Sequence, residues 1–182
     1  MNDLFKTVTA SKITLSELML PSHTNFSGKI HGGYILSLLD QIAFASASKY
    51  SGYYCVTASV DTVDFLNPIE VGELVTLKAS VNYVGKSSMI VGIRVEAENI
   101  QTGKVKHCNS SYFTMVAKDK EGKNVPVPGL ILSDRNEVRR FYNCVNQIAF
   151  KKERNTHEEV FDPTSEKALE ALKEYNVKLE LK

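Results

Sequence analysis

The feature that most constrains this chain is the stretch from Gly32 to Tyr50, where apolar residues recur at helical spacing on more than one face: Ile35, Leu38, Leu39, Ile42 and Ala45 on one, Leu36, Ala43 and Ala47 on another. A helix apolar on nearly all sides should be buried, so the rest of the chain has to wrap it. The residues that follow supply the wrapping. Val56, Ala58 and Val60, then Val75, Leu77, Ala79, Val81 and Tyr83, then Met89, Val91, Ile93, Val95 and Ala97 alternate at period two, and a further run covers Val105 to Lys118. Each predicts a half-buried strand. The breaks at Asn67-Pro68, Val71-Gly72-Glu73, Gly85-Lys86 and Asn99 to Gly103 are short, which favours antiparallel neighbours. With a strand over Lys12 to Leu20, ended by Pro21, the order becomes one strand, one buried helix and four long strands. That is an α+β arrangement, solved most economically by a curved antiparallel sheet of about five strands around a long central helix.

Composition shifts after Pro126 and Pro128, dividing the chain into a domain over 1–128 and a charged, mainly helical C-terminal extension over 129–182. In the extension, Asp134 and Glu137 form a capping-box pattern ahead of Val138, Phe141, Tyr142, Val145 and Ile148 at helical spacing. Lys151 to Glu159 reads as a solvated linker, and a short helix starting near Asp162-Pro163 is expected to bury Leu169 and Leu172. Twenty-two basic against twenty-one acidic side chains leave a formal net charge of +1, which gives no global field for nucleic acid or a membrane surface. The first fifteen residues carry polar side chains where a signal peptide needs an apolar stretch, and no run reaches membrane-spanning length, so a cytoplasmic protein is expected. Cys55, Cys108 and Cys144 lack metal-ligand spacing and read as reduced packing residues.

Asp40 is the conspicuous residue of the apolar helix. Leu36, Ser37, Ala43 and Phe44, one turn away, include no cation, so its carboxylate must reach solvent, a cavity or donors from another element. Gly32 and Gly33 fall at the mouth of the same helix, where backbone N–H groups lack intrahelical acceptors and the dipole is positive. Without side chains there, a substrate carbonyl can approach the main chain as an oxyanion site requires, although a plain tight turn uses the same residues. His31 precedes the glycines and has two readings, a general base or a residue that caps and orients its loop, the second being the commoner for a lone histidine at a helix entrance. Asn25, in the loop before the helix, is suited to hold a water or a carbonyl, or simply to make a turn.

Taken in order and spacing, Pro21-Ser22-His23-Thr24-Asn25, then Gly28-Lys29-Ile30-His31-Gly32-Gly33, then Leu39-Asp40 closely resemble the signature of the hotdog-fold acyl-CoA thioesterases, including the bacterial YciA type and the brain-type acyl-CoA hydrolases. The likeness continues through Val63-Asp64-Phe65-Leu66-Asn67-Pro68, Val71-Gly72-Glu73 and Val84-Gly85-Lys86-Ser87-Ser88-Met89 to about Pro128. The resemblance implies a hotdog fold and a homo-oligomer, at least a dimer and by extension a trimer of dimers, with active sites along the subunit boundary. It implies Asp40 and Asn25 as the catalytic aspartate and asparagine, contributed to each site by opposite subunits. It also implies Gly33 as the residue whose N–H faces the thioester carbonyl, with His31 and Gly32 beside it. Gly85, Lys86, Ser87 and Ser88 correspond to the turn that lies by the pantetheine and phosphates of CoA. Gln41 departs from the pattern, since some relatives carry glutamate there, and the residues after about Leu130 match no family feature.

The activity so implied is hydrolysis of acyl-CoA to free CoA and a carboxylic acid, with Asp40 as general base or nucleophile. It needs no metal and no cofactor, CoA being part of the substrate. Two alternatives belong to other classes: a hotdog enoyl-CoA hydratase or dehydratase, for which His31 is not where a catalytic histidine is expected, and a non-catalytic acyl-CoA sensor. Release of thiol, loss of enoyl absorbance or binding without either distinguishes the three.

Overall fold

The computed structural model describes residues 4–156, 165–171 and 175–178. Its centre is helix α1, Gly32–Ser51, held in the curl of an antiparallel sheet whose strands are β2 (Ile13–Leu18), β3 (Tyr54–Val60), β4 (Glu73–Val84), β5 (Ser88–Asn99) and β6 (Lys104–Lys118). The spatial order β2-β4-β5-β6-β3 leaves β2 and β3 at the two edges. This is the hotdog architecture expected from the pattern of residues.

The helix begins with His31 as its N-cap and stops at Gly52, whose φ of 79° is a left-handed C-cap conformation that a side chain would strain. Its buried face carries Ile35, Leu39, Ile42, Ala43 and Ala47. These pack into one core with the inward residues Leu77 and Val81 of β4, Val91 and Val95 of β5, and Phe113 and Met115 of β6. Each fully buried Leu or Ile contributes about 1.5–3 kcal/mol of transfer free energy, so this one interface accounts for the helix's position.

Three expectations are corrected here. First, α1 is not buried all round: Leu36, Ser37, Asp40, Gln41 and Phe44 form an exposed stripe along it. The sheet reaches around only part of a helix circumference, so an apolar second face is left over. Second, the inward residues of β3 are Cys55, which is core, and Thr57, not Val56, Ala58 and Val60. A bulge between Thr57 and Ser59 breaks the period-two alternation on this edge strand. Third, the fold has two further strands of three residues, β1 (Phe5–Thr7) and β7 (Gly129–Ile131), which pair in parallel as a separate small sheet. A Cβ at Gly129 would fall 2.3 Å from the Phe5 ring and would have to displace it, and the buried Tyr50 hydroxyl donates to the Gly129 carbonyl at 2.6 Å.

The described chain forms two compact units, Met1–Cys144 and Val145–Lys182. Helix α2 is Arg135–Thr156. The Asp134 carboxylate accepts from the N–H groups of Asn136 and Glu137, while the Glu137 carboxylate reaches back to the Ser133 N–H at 2.7 Å, a reciprocal cap displaced by one residue from the standard box. Lys151 and Lys152 are in α2, not in a linker. A short helix α3, Glu166–Ala171, contains Leu169, while Asp162, Pro163 and Leu172 lie outside the described residues. All three cysteines are free and buried, and burial pushes the Cys144 thiol up to about 12. Among the described residues no helix is long and apolar enough to cross a membrane.

Candidate active site

Asp40 stands in the third turn of α1 on the exposed stripe, and the donor its own helix lacks comes from β3: the Thr57 hydroxyl donates to Asp40 Oδ1 at 2.6 Å. Thr57 is also 3.5 Å from the Met115 sulfur, which fixes its hydroxyl against the sheet. The carboxylate is therefore both held and accessible, with Oδ2 turned away from any partner among the described residues. Thr57 was not legible as a site residue. Its only signal was a polar residue in phase with Cys55 on the strand that follows the helix, where Val56, Ala58 and Val60 offer the stronger apolar alternation.

The mouth of α1 has a different arrangement from the one expected. His31 caps the helix through its side chain, its Nδ1 accepting the Gly33 N–H at 2.9 Å. The imidazole Nδ1 must be unprotonated to do so. Tyr34 and Ile35 both donate to the His31 carbonyl, leaving Gly32 as the helix-entrance residue whose N–H has no acceptor among the described residues. The Gly33 N–H, expected to face a substrate carbonyl, is thus occupied by a side chain in the free chain. Capping, the second of the two readings of His31, is what the geometry displays.

The loop that presents Asn25 is built by Asn25 itself. Its Oδ1 accepts from the Ser27 N–H at 2.9 Å, the Ser27 hydroxyl at 2.7 Å and the Lys29 N–H at 3.2 Å. Gly28, at φ 77°, closes the turn by donating to the Asn25 carbonyl. With Oδ1 saturated, only the Nδ2 donors remain for an outside group. Lys29 is locked in turn by two contacts with the Glu70 carboxylate, at 2.6 and 2.7 Å, and hydrogen bonding to Lys29 is the leading cause holding the Glu70 carboxyl below its ordinary range. Within one chain no hydrogen bond joins Asn25 to Asp40. Phe26, beside Asn25, is fully exposed.

Gly85, Lys86, Ser87 and Ser88 make the tight turn from β4 to β5. The Gly85 N–H donates to the Ser88 carbonyl at 2.8 Å, and a Cβ on Gly85 would meet the Ser88 hydroxyl at 2.9 Å. Register places this turn at the same end of the sheet as the Asp40–Thr57 pair, for Ser88 lies opposite Val116 and Val116 opposite Val56. Two strand spacings, roughly 10 Å, separate them. The carbonyls of Lys86 and Ser87 accept from Val127 and Ala117, so the turn is pinned while the Lys86 side chain stays exposed. Tyr54 and Phe65 are 63% and 47% exposed. A groove of about 550 Å³ occurs elsewhere, on the outer face of the sheet, lined by residues such as Lys78, Asn82, Arg94, Arg139 and Arg140. None of the residues above lines it.

Comparison with known proteins gives a consistent set of likenesses. The signature of the thioesterase superfamily matches residues 27–104. Protein VdlD of Helicobacter pylori is 44% identical over 141 residues, covering 78% of this chain and 80% of that one. The acyl-CoA thioester hydrolase YkhA of Bacillus subtilis, itself uncharacterized, is 36% identical over 147 residues, covering 81% and 86%. Among solved structures, an apo-hexameric acyl-CoA thioesterase superposes with a TM-score of 0.82 at 34% identity, over 85% of this chain and 99% of that one. The acyl-CoA hydrolase of Staphylococcus aureus, in complex with butyryl-CoA, CoA and CoA disulfide, superposes at 0.78 with 32% identity, over 93% and 99%. That hydrolase has also been solved as alanine variants of an asparagine, an aspartate and a threonine, spaced along its chain as Asn25, Asp40 and Thr57 are here.

Proposed function

This chain belongs to the thioesterase superfamily and is a thioester hydrolase, and from that premise we propose that it cleaves acyl-CoA in a site built from Asp40 and Thr57 of one subunit and Asn25 of another. The observation that carries the reading is the Thr57–Asp40 hydrogen bond, which orients a carboxylate on an exposed stripe of an otherwise buried helix. An acid so placed, with one oxygen held and the other open, is prepared to take a proton from water.

The oligomer follows from what one chain leaves uncovered. Leu36 and Phe44 flank Asp40 on α1 at 39% and 38% exposure, and β3 presents an unpaired edge with Tyr54 and Val60 exposed. Such an edge and stripe call for a second copy of the chain, packing helix on helix and strand on strand. The hexameric neighbour supports extending this to a trimer of dimers. In that assembly the saturated Oδ1 of Asn25 keeps the loop in shape while its Nδ2 donates across the boundary, to the attacking water or to the thioester oxygen.

The thioester oxygen is assigned to the N–H groups at the mouth of α1, with Gly85, Lys86, Ser87 and Ser88 alongside the pantetheine and phosphates. Water attacks the carbonyl carbon and gives its proton to Asp40. The C–S bond then breaks, and CoA leaves as a thiolate that recovers the proton. Thiolate is a good leaving group, so positioning and oxyanion stabilisation suffice without a metal. Direct attack by Asp40 would pass through a mixed anhydride instead. Appearance of oxygen-18 from labelled water in Asp40 after one turnover would identify that route.

The decisive assay follows free thiol from acetyl-, butyryl- and palmitoyl-CoA. Catalytic thiol release is the expected result. With a 2-enoyl-CoA as a further substrate, loss of enoyl absorbance without thiol would make the protein a hydratase, and tight binding of these ligands with neither reaction would make it a sensor.

A further inference from the structure

We infer that His31 is a displaceable occupant of the oxyanion donor: in the free enzyme its imidazole holds the Gly33 N–H, and a thioester carbonyl that takes this N–H must expel it. The inference rests on the acyl-CoA reading above and adds to it a residue that separates substrate from product.

The geometry permits one acceptor at a time. His31 Nδ1 is 2.9 Å from the Gly33 nitrogen, and a Cβ built on Gly33 would lie 2.8 Å from the imidazole Cε1 and 2.9 Å from Nδ1. The ring therefore lies directly over Gly33, in the space a carbonyl oxygen would need. The absence of a side chain at Gly33 serves the histidine as much as the substrate. Gly32 has a different neighbour, the Phe65 ring, 3.4 Å from a would-be Cβ, and its N–H has no acceptor among the described residues. Displacing His31 would therefore expose two adjacent donors at the positive end of α1. His31 is itself exposed, which leaves the ring room to swing out.

The consequence is selective. An acyl-CoA presents a carbonyl and exchanges one hydrogen bond for another. Free CoA presents a thiol, has nothing to offer the Gly33 N–H, and leaves the cap in place. His31 thus acts as a positioning residue that lowers the affinity for the carbonyl-bearing ligand by the strength of the cap and leaves the affinity for the thiol unchanged.

The test compares two non-hydrolysable ligands on the full-length oligomeric enzyme by calorimetry: a CoA ketone with methylene in place of the thioester sulfur, which keeps the carbonyl, and an alkyl-CoA thioether, which lacks it. The readout is the ratio of their affinities. His31→Ala removes the competitor and should raise the ketone-to-thioether ratio about five-fold, the equivalent of a cap of about 1 kcal/mol. His31→Asp places a stronger, anionic acceptor at the N-cap and should lower the ratio below that of the wild type. The aspartate variant preserves the helix start, so it reports even if the alanine variant folds poorly. A ratio unchanged across the three proteins overturns the inference and leaves the thioesterase reading intact. Failure of the wild type to bind either ligand would instead remove the acyl-CoA site itself.

Discussion

The Thr57 hydroxyl donates to Asp40 Oδ1 at 2.6 Å, joining the middle of the central helix to an edge strand of the sheet. If this bond orients the base, Thr57→Val, which keeps the shape and loses the hydroxyl, should lower kcat roughly 10- to 100-fold, since small misplacements of a reacting group cost that much. Thr57→Ser should stay within a few-fold of the wild type. Steady-state kinetics on butyryl-CoA decide it, and equal kcat in the valine variant would remove Thr57 from the mechanism.

Asp40→Asn retains size and polarity but cannot accept a proton. A loss in kcat of about 10²- to 10⁴-fold with KM nearly constant is expected for a group acting in the chemical step. A variant that changed only KM would make Asp40 a binding residue.

Mixing inactive variants tests whether the site is shared. If Asn25 and Asp40 meet across a subunit boundary, Asn25→Ala and Asp40→Ala proteins, unfolded and refolded together, should regain about a quarter of wild-type activity, because half of random dimers are mixed and each mixed dimer holds one intact site. No recovery, with mixed oligomers demonstrated by mass spectrometry, would place both residues in one subunit's site.

Tyr50 links the C-terminal end of α1 to the small β1–β7 sheet. Burial pushes its hydroxyl up to about 12 from 10.0, so the folded protein holds this proton more tightly than the unfolded chain does. The contribution is complete below pH 10.0 and is lost as pH rises towards 12. Tyr50→Phe should cost about 1–3 kcal/mol at neutral pH, having left the Gly129 carbonyl without its donor, and should flatten the alkaline limb of a stability-against-pH curve. Urea melts from pH 7 upward measure both effects.

The Lys29–Glu70 bridge anchors the Asn25 loop. With the Glu70 carboxyl held below its ordinary 4.5, chiefly by hydrogen bonding to Lys29, the bridge is fully formed above that value and is lost as pH falls through the lower folded one. Glu70→Gln should reduce turnover a few-fold at pH 7, with little change in Tm, and its deficit relative to the wild type should vanish only at the acid end. A deficit independent of pH would mean that the carboxylate acts through shape alone.

Much of the molecule was legible because local periodicity and burial go together. The nearly all-round apolar helix and the three period-two runs demanded a wrapped helix, and Asp40 stood out because its own turn held no partner for it. His31 as a cap was legible for the same reason, since helix entrances need acceptors. The inward phase of β3 was not legible, because Val56, Ala58 and Val60 make the more apolar alternation while the strand turns Cys55 and Thr57 inward ahead of its bulge. Strands β1 and β7 were invisible, three residues being too few to display alternation.

Sequence alone determined that a helix and a curved antiparallel sheet would form here, and that a lone acid and two glycines would share that helix. Covalent order and hydrophobic period are enough for that. Only the tertiary structure decided that Thr57 meets Asp40 and that one face of α1 stays uncovered. Those are meetings between segments far apart in sequence, and they depend on how backbones are brought together after each element has formed.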